Sequence, residues 1–167
     1  MLVAGLYLAP AARADNYGAA ALEGAIGVKI SQRISIAKTA SAANGGDLNF
    51  GEIYSPTSAD TVIMTSAGAR SAGNDDVFGN AADASPASFT VNGEPDNTFS
   101  ISPIPDTEIR DAAGNVMAVT DFTPSLAGSG KLEDGIYIFT VGATLHVAAD
   151  QPPGAYAGVF DVTVNYN

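Results

Sequence analysis

The chain contains one histidine, His146, and no cysteine. A Cys/His nucleophile pair, a thiolate zinc site and a two-histidine metal centre are therefore excluded. His146 has outward parity in the alternating run 135–148, the place of a surface residue rather than a catalyst. The acids are the other source of chemistry. A glycosidase needs two carboxylates at a set separation across a cleft. Here Asp75, Asp76, Asp83, Asp96, Asp106, Asp111, Asp134 and Asp150 mostly adjoin Gly, Pro, Asn or Ala. That is the composition of turns, where Asp bonds its own backbone. "GNDDVFGNAAD" (73–83) is the best candidate calcium loop, although its spacing matches neither the EF-hand nor the nonapeptide pattern. "GSGKLEDG" (128–135) lacks the full phosphate-loop pattern and a following helix, and reads as a loop. The seven Phe and six Tyr, with no Trp, have strand parities that suit a core better than a sugar-stacking platform. No enzymatic activity and no cofactor are expected.

These residues must be placed by short strands. Eighteen glycines and nine prolines separate apolar runs that alternate rather than follow helical spacing, the signature of an all-β sandwich or barrel. With 46% hydrophobic residues the chain can build a core. Its net charge of −11 repels nucleic acid, so no nucleic-acid partner is expected. Residues 1–14, "MLVAGLYLAPAARA", read as a secretory signal peptide ending in a small-x-small site, without a basic residue before the apolar stretch.

In "LEGAIGVKISQRISIAK" (22–38), Leu22, Ile26, Val28, Ile30, Ile34 and Ile36 share one parity. The run exceeds the usual strand length and predicts two strands, or one that changes partner near Ser31–Arg33. Leu48 and Phe50 begin a strand, and Gly51 shifts the parity so that Ile53 points inward, as a bulge does. A strand is expected at 60–65, and a long surface loop with a short strand at Val77–Phe78 over 66–88. Residues 88–93 and 97–104 read as a hairpin, with Phe89 and Val91 facing Phe99 and Ile101. Further strands are expected at 116–122 and 135–148. In the closing strand Tyr156, Phe160, Val162, Val164 and Tyr166 form one face; whether it pairs with 135–148 or crosses to another sheet is open.

"LNFGEI" (48–53), "SAGARS" (66–71), "FTVNG" (89–93), "TFSIS" (98–102) and "VGATLHVAADQPPGAYAGVFDVTVNYN" (141–167) resemble, in that order, a secreted bacterial β-domain family of unknown function. The ending Gly-x-Tyr-x-Gly-x-Phe-x-Val-x-Val-x-Tyr is also similar to spore coat protein U and chaperone–usher pilins. The resemblance implies an immunoglobulin-like (pilin-like) β-sandwich over 33–167, completed by a donor strand. It implies export through the periplasm to the cell surface and a structural role as a pilus or filament subunit. Its partners would be further copies of itself, head to tail, with a periplasmic chaperone and an outer-membrane usher. Residues 15–32 are then the candidate donor extension, with Leu22, Ile26, Val28 and Ile30 as inserted side chains. The acceptor groove would be bordered by the closing strand, Tyr156, Phe160, Val162, Val164 and Tyr166. Burying four donor side chains stabilises the pair by about 10 kcal/mol before ordering costs. The other reading is a self-complemented secreted module that binds glycan or calcium through the 66–88 loop.

Overall fold

The computed structural model describes residues 27–167. The signal-peptide reading, residues 15–26 of the candidate extension, and Leu22 and Ile26 with them, lie outside the described residues. Ser31–Asn167 form one unit. Before it, Val28 and Ile30 are 88% and 90% exposed.

The described residues fold into ten strands: β1 (Ser35–Lys38), β2 (Asp60–Met64), β3 (Arg70–Ala72), β4 (Ala87–Asn92), β5 (Thr98–Ile101), β6 (Thr107–Arg110), β7 (Val116–Pro124), β8 (Ser129–Lys131), β9 (Ile136–Val147) and β10 (Val164–Tyr166). All pairings between these strands are antiparallel, and the helical structure among the described residues is two 3-10 turns, Ala43–Gly46 and Asp75–Val77. Seven strands make the larger sheet and β10-β5-β8 the smaller one. The architecture is a β-sandwich.

β9 organises the larger sheet. One of its edges pairs with β4 through Ala87↔Val141 to Asn92↔Ile136 and then with β2 through Met64↔Ala143 to Asp60↔Val147. Its other edge takes β7. The alternation read from the sequence holds along β9. Phe139, Val141, Ala143, Leu145 and Val147 are buried, and Ile138 and His146 are exposed. In β2, Val62 and Met64 are buried and Ile63 is exposed, again as the parity predicts.

The core has two parts. Phe50, Val62, Met64, Val77, Val119, Ala143, Leu145 and Val147 form one. Ala87, Val91, Phe99, Leu132, Phe139, Val141 and Val164 form the other. Side chains from both sheets meet in the second, as the two inner faces of a sandwich do.

Several expectations are corrected. The 22–38 run yields a strand only at Ser35–Lys38 within the described residues; 27–34 form none. The 66–88 segment contains β3, which forms a hairpin with β2, and a 3-10 turn at Asp75–Val77. Phe78 makes only an isolated bridge with Ile53. β4 and β5 do not pair as a hairpin. They lie in different sheets, and Phe89, Val91, Phe99 and Ile101 meet across the core instead of along a ladder. Apolar parity fixes which face is buried, and a cross-core pair satisfies it as well as a cross-strand pair. β5 stops at Ile101, ahead of Pro103 and Pro105, which have no N–H to give. The closing strand forms a continuous ladder only at Val164–Tyr166, and it lies in the smaller sheet, away from β9.

Candidate functional site

The C-terminal segment is held along one edge. Ala157 and Arg110 exchange backbone hydrogen bonds of 2.9 and 3.0 Å, and Ser102 N–H donates to the Thr163 carbonyl at 2.9 Å. The Thr107 hydroxyl donates to the Val159 carbonyl at 3.0 Å. Val164–Tyr166 then pair with Phe99–Ile101 of β5. Residues 157, 159 and 163 thus turn their backbone towards β5 and β6. In extended chain the intervening residues turn theirs the other way. Among the described residues, no backbone hydrogen bond is made by Gly158, Phe160 or Val162. Among the described residues this edge therefore has no backbone partner.

A second edge is the segment 47–54, whose ladder partners among the described residues lie at 77–85. Asn49 and Ser85 exchange bonds of 2.9 and 2.8 Å, and Glu52 and Tyr54 donate to Asn80 and Val77 at 3.0 and 2.8 Å. Arg70 braces this wall. Its Nη1 donates to the Phe50 carbonyl at 2.8 Å, and its guanidinium lies 4.2 Å from the centre of the Phe78 ring. Gly51 has φ +76°, and a Cβ there would lie 2.8 Å from Arg70 Nη1. The left-handed residue supplies the parity shift expected at this point. Phe50 is buried, and Leu48 and Ile53 pack against the core.

Between the two edges lies a groove of about 1140 Å³. Leu48, Phe50 and Ile53 line one wall; Tyr156, Val159 and Phe160 line the other. The floor is apolar, with Phe89, Ile109, Met117, Val119, Phe122, Leu145 and Val147. Phe160 stacks on Phe122, with centroids 4.8 Å apart, and meets Phe89 edge-on at 6.1 Å. Val159 is 83% exposed. At the far end, buried Gln151 donates through Nε2 to the Tyr156 hydroxyl at 2.9 Å and to the Val116 carbonyl at 3.3 Å. The Tyr156 hydroxyl donates to the Pro152 carbonyl at 2.7 Å.

Of the five closing-strand residues named from the sequence, Tyr156 and Phe160 line the groove. Val162, Val164 and Tyr166 pack into the second core cluster. Phe122 carries no sequence signal for its place in the floor. Asp121, at φ +53°, sits within an irregularity of the β7–β9 ladder between Thr120 and Thr123, which a period-two reading of 116–122 does not anticipate. Met117, Val119 and Ile109 are apolar strand residues whose shared destination depends on topology.

The polar candidates among the described residues make local contacts. His146 Nε2 lies 2.8 Å from the Thr120 hydroxyl, which itself donates to Asp121 Oδ2 at 2.8 Å. With that proton given to the carboxylate, the hydroxyl oxygen accepts from the imidazole in its Nε2–H form. A shallow depression of about 480 Å³ beside His146 includes Asp60 and Thr61. Asp60 accepts backbone N–H groups from Thr61, Asn74 and Gly73 at 2.7, 2.9 and 3.1 Å. The Thr61 bond foremost, then the Asn74 bond, holds its carboxyl below the ordinary range. Asp76 lies in the turn capped by Asn74, whose Oδ1 accepts its N–H. Among the described residues no three His, Asp or Glu side chains converge to hold a metal ion, in 73–83 or elsewhere.

Fold and groove together define a β-sandwich with an apolar channel lined by two of its extended segments. By sequence the chain belongs to the family described as a domain of unknown function (DUF4402), matched over residues 37–166. No curated protein and no solved structure matches it.

Proposed function

We propose that this domain is an exported structural subunit whose groove accepts an extended strand from a second copy of the chain, assembling head to tail into a surface filament. One observation carries the reading: the groove has a hydrophobic floor and, at Gly158, Phe160 and Val162, a strand edge without backbone partners among the described residues. Strand addition supplies both of its needs, because main-chain bonds complete the edge and alternate side chains fill the floor. The occupant with the right form is the stretch Leu22–Ile30, with apolar residues at every second position but Gly24. Val28 and Ile30 of that stretch are exposed, which leaves them available to a partner. A heterologous contact of this kind does not close on itself and generates a filament. The reading agrees with the likeness of the closing segment to spore coat protein U and chaperone–usher pilins, and with an immunoglobulin-like sandwich completed in trans by a donor strand. A periplasmic chaperone and an outer-membrane usher belong to that same reading.

The test is deletion of residues 15–27, with the product examined by size exclusion and electron microscopy. The expected outcome is loss of filaments, and occupation of the groove when a synthetic peptide of residues 18–30 is added. Filaments that persist after the deletion, or full-length protein that stays monomeric and leaves the peptide unbound, would sink the proposal in favour of a self-complemented binding module.

A further inference from the structure

The end of the closing strand holds the beginning of the domain. Glu94 N–H donates to the Tyr166 hydroxyl at 2.6 Å. That hydroxyl donates to the Gln32 carbonyl at 3.1 Å. Gln32 N–H donates in turn to Glu94 Oε2 at 2.9 Å. Both backbone groups of Gln32 are therefore taken, by two side chains, three residues before β1 begins at Ser35. Gln32 and Arg33 are otherwise exposed and in no strand. Tyr166 is also the last residue of β10, and the chain leading into that strand, Gly158 to Asp161, lines the groove.

We propose that Tyr166 is a positioning residue that clasps the root of the N-terminal extension and couples it to occupation of the groove. A strand added along Gly158–Val162 gives the closing strand a second neighbour and reduces its motion. The same strand carries the Tyr166 hydroxyl, so ordering at the groove reaches Gln32 through one continuous length of backbone. A subunit that has received a strand thereby holds the root of its own extension more firmly. The coupling rests on the function proposed above; the clasp itself does not.

Arg33 gives the readout, since trypsin cleaves after it only when the root is released. With full-length protein, Tyr166→Phe keeps the ring in the core and removes both hydroxyl bonds. Cleavage after Arg33 is expected to rise at least threefold while near-ultraviolet circular dichroism stays unchanged. Glu94→Ala removes the bond to Gln32 N–H and should act in the same direction, so the clasp remains testable if one variant misfolds. An unchanged cleavage rate in both variants overturns the clasp. Adding the 18–30 peptide should slow cleavage in the wild type and leave it unaltered in Tyr166→Phe. Hydrogen exchange at Gly158–Val162 reports binding separately. Protection there with no change at Arg33 overturns the coupling alone, whereas no protection overturns the assembly reading and the coupling with it.

Discussion

Phe160 and Phe122 stack with ring planes 28° apart and centroids 4.8 Å apart, joining the closing segment to β7 across the floor of the groove. Phe160 is at once a wall of the groove and part of the packing between the two sheets. Its replacement therefore has two effects of different size. Partial burial of the ring and loss of its two aromatic contacts set the cost of Phe160→Ala at about 2–3 kcal/mol, below the range for a fully buried Phe. Chemical denaturation measures that part. Binding of the 18–30 peptide should weaken by more than tenfold as well, because the wall that shapes the channel is removed; calorimetric titration at a temperature where the variant is folded measures this. Tight binding with lowered stability would assign Phe160 to packing alone.

Gly93 adjoins the clasp. A Cβ at this position would overlap the Tyr166 hydroxyl and lie 2.8 Å from Leu132 Cδ1, both held in the second core cluster. Gly93→Ala is expected to destabilise by about 1–3 kcal/mol, the range for forcing an atom into a packed site. Removing the hydroxyl removes half of the clash, so Gly93→Ala with Tyr166→Phe should cost less than the two single changes added together. Contacting residues give such couplings of about 0.5–3 kcal/mol in a double-mutant cycle. Strict additivity would show that the clash is relieved elsewhere.

Asp60, the first residue of β2, and Asp111, in the turn before β7, are expected to make stability depend on pH. Asp111 is held below the ordinary range first by the Asn115 side chain, 2.7 Å away, and then by backbone N–H groups from Asn115, Ala113 and Gly114. Asp60 is lowered by its backbone bonds to Thr61, Asn74 and Gly73. A carboxylate whose folded pKa is depressed adds stability that is fully present above its unfolded pKa. That stability is lost as pH falls through the folded pKa. The loss should therefore begin near pH 4 and continue below it. Asp60→Asn and Asp111→Asn should each flatten the slope of stability against pH in that window and leave the slope between pH 6 and 8 unaltered. Denaturant midpoints collected from pH 2.5 to 7 would show this, and an unchanged acid slope would refute the role of that carboxylate.

How much of this was legible beforehand differs between elements for physical reasons. β9 is readable because Tyr137, Phe139, Val141, Ala143, Leu145 and Val147 recur at every second position and each is buried or half-buried, although Ile136 and Ile138 are apolar on the outer face. The closing segment was readable for its faces: Phe160, Val162, Val164 and Tyr166 are the less exposed residues and 159, 161, 163 and 165 are exposed. Its ladder was not, because alternation says which way side chains point and nothing about which edge is paired. The same limit explains β4 and β5, whose matching faces meet through the core and not side by side. β3 was missed because Arg70–Ala72 offers one arginine, one serine and one alanine to a pattern search. The groove depends on seven separate segments, and its floor is ordinary apolar strand residues. Only topology shows that they come together beneath one groove.

The alternation in the extension separates assembly from folding. Val28 is 88% exposed, so Val28→Asp removes little buried surface. The melting temperature of the isolated domain should move by less than a change of about 0.5 kcal/mol would produce. In the groove the same side chain would face the apolar floor, where an unpaired carboxylate costs several kcal/mol. Filament formation should therefore be lost, and a Val28→Asp version of the 18–30 peptide should bind at least a hundredfold more weakly. Lys29 has the opposite parity and would point away from the floor. A Lys29→Ala peptide is expected to bind within about threefold of the parent. If both peptides bind alike, the extension does not enter the groove as a strand, and the period-two pattern of 22–30 belongs to some other contact.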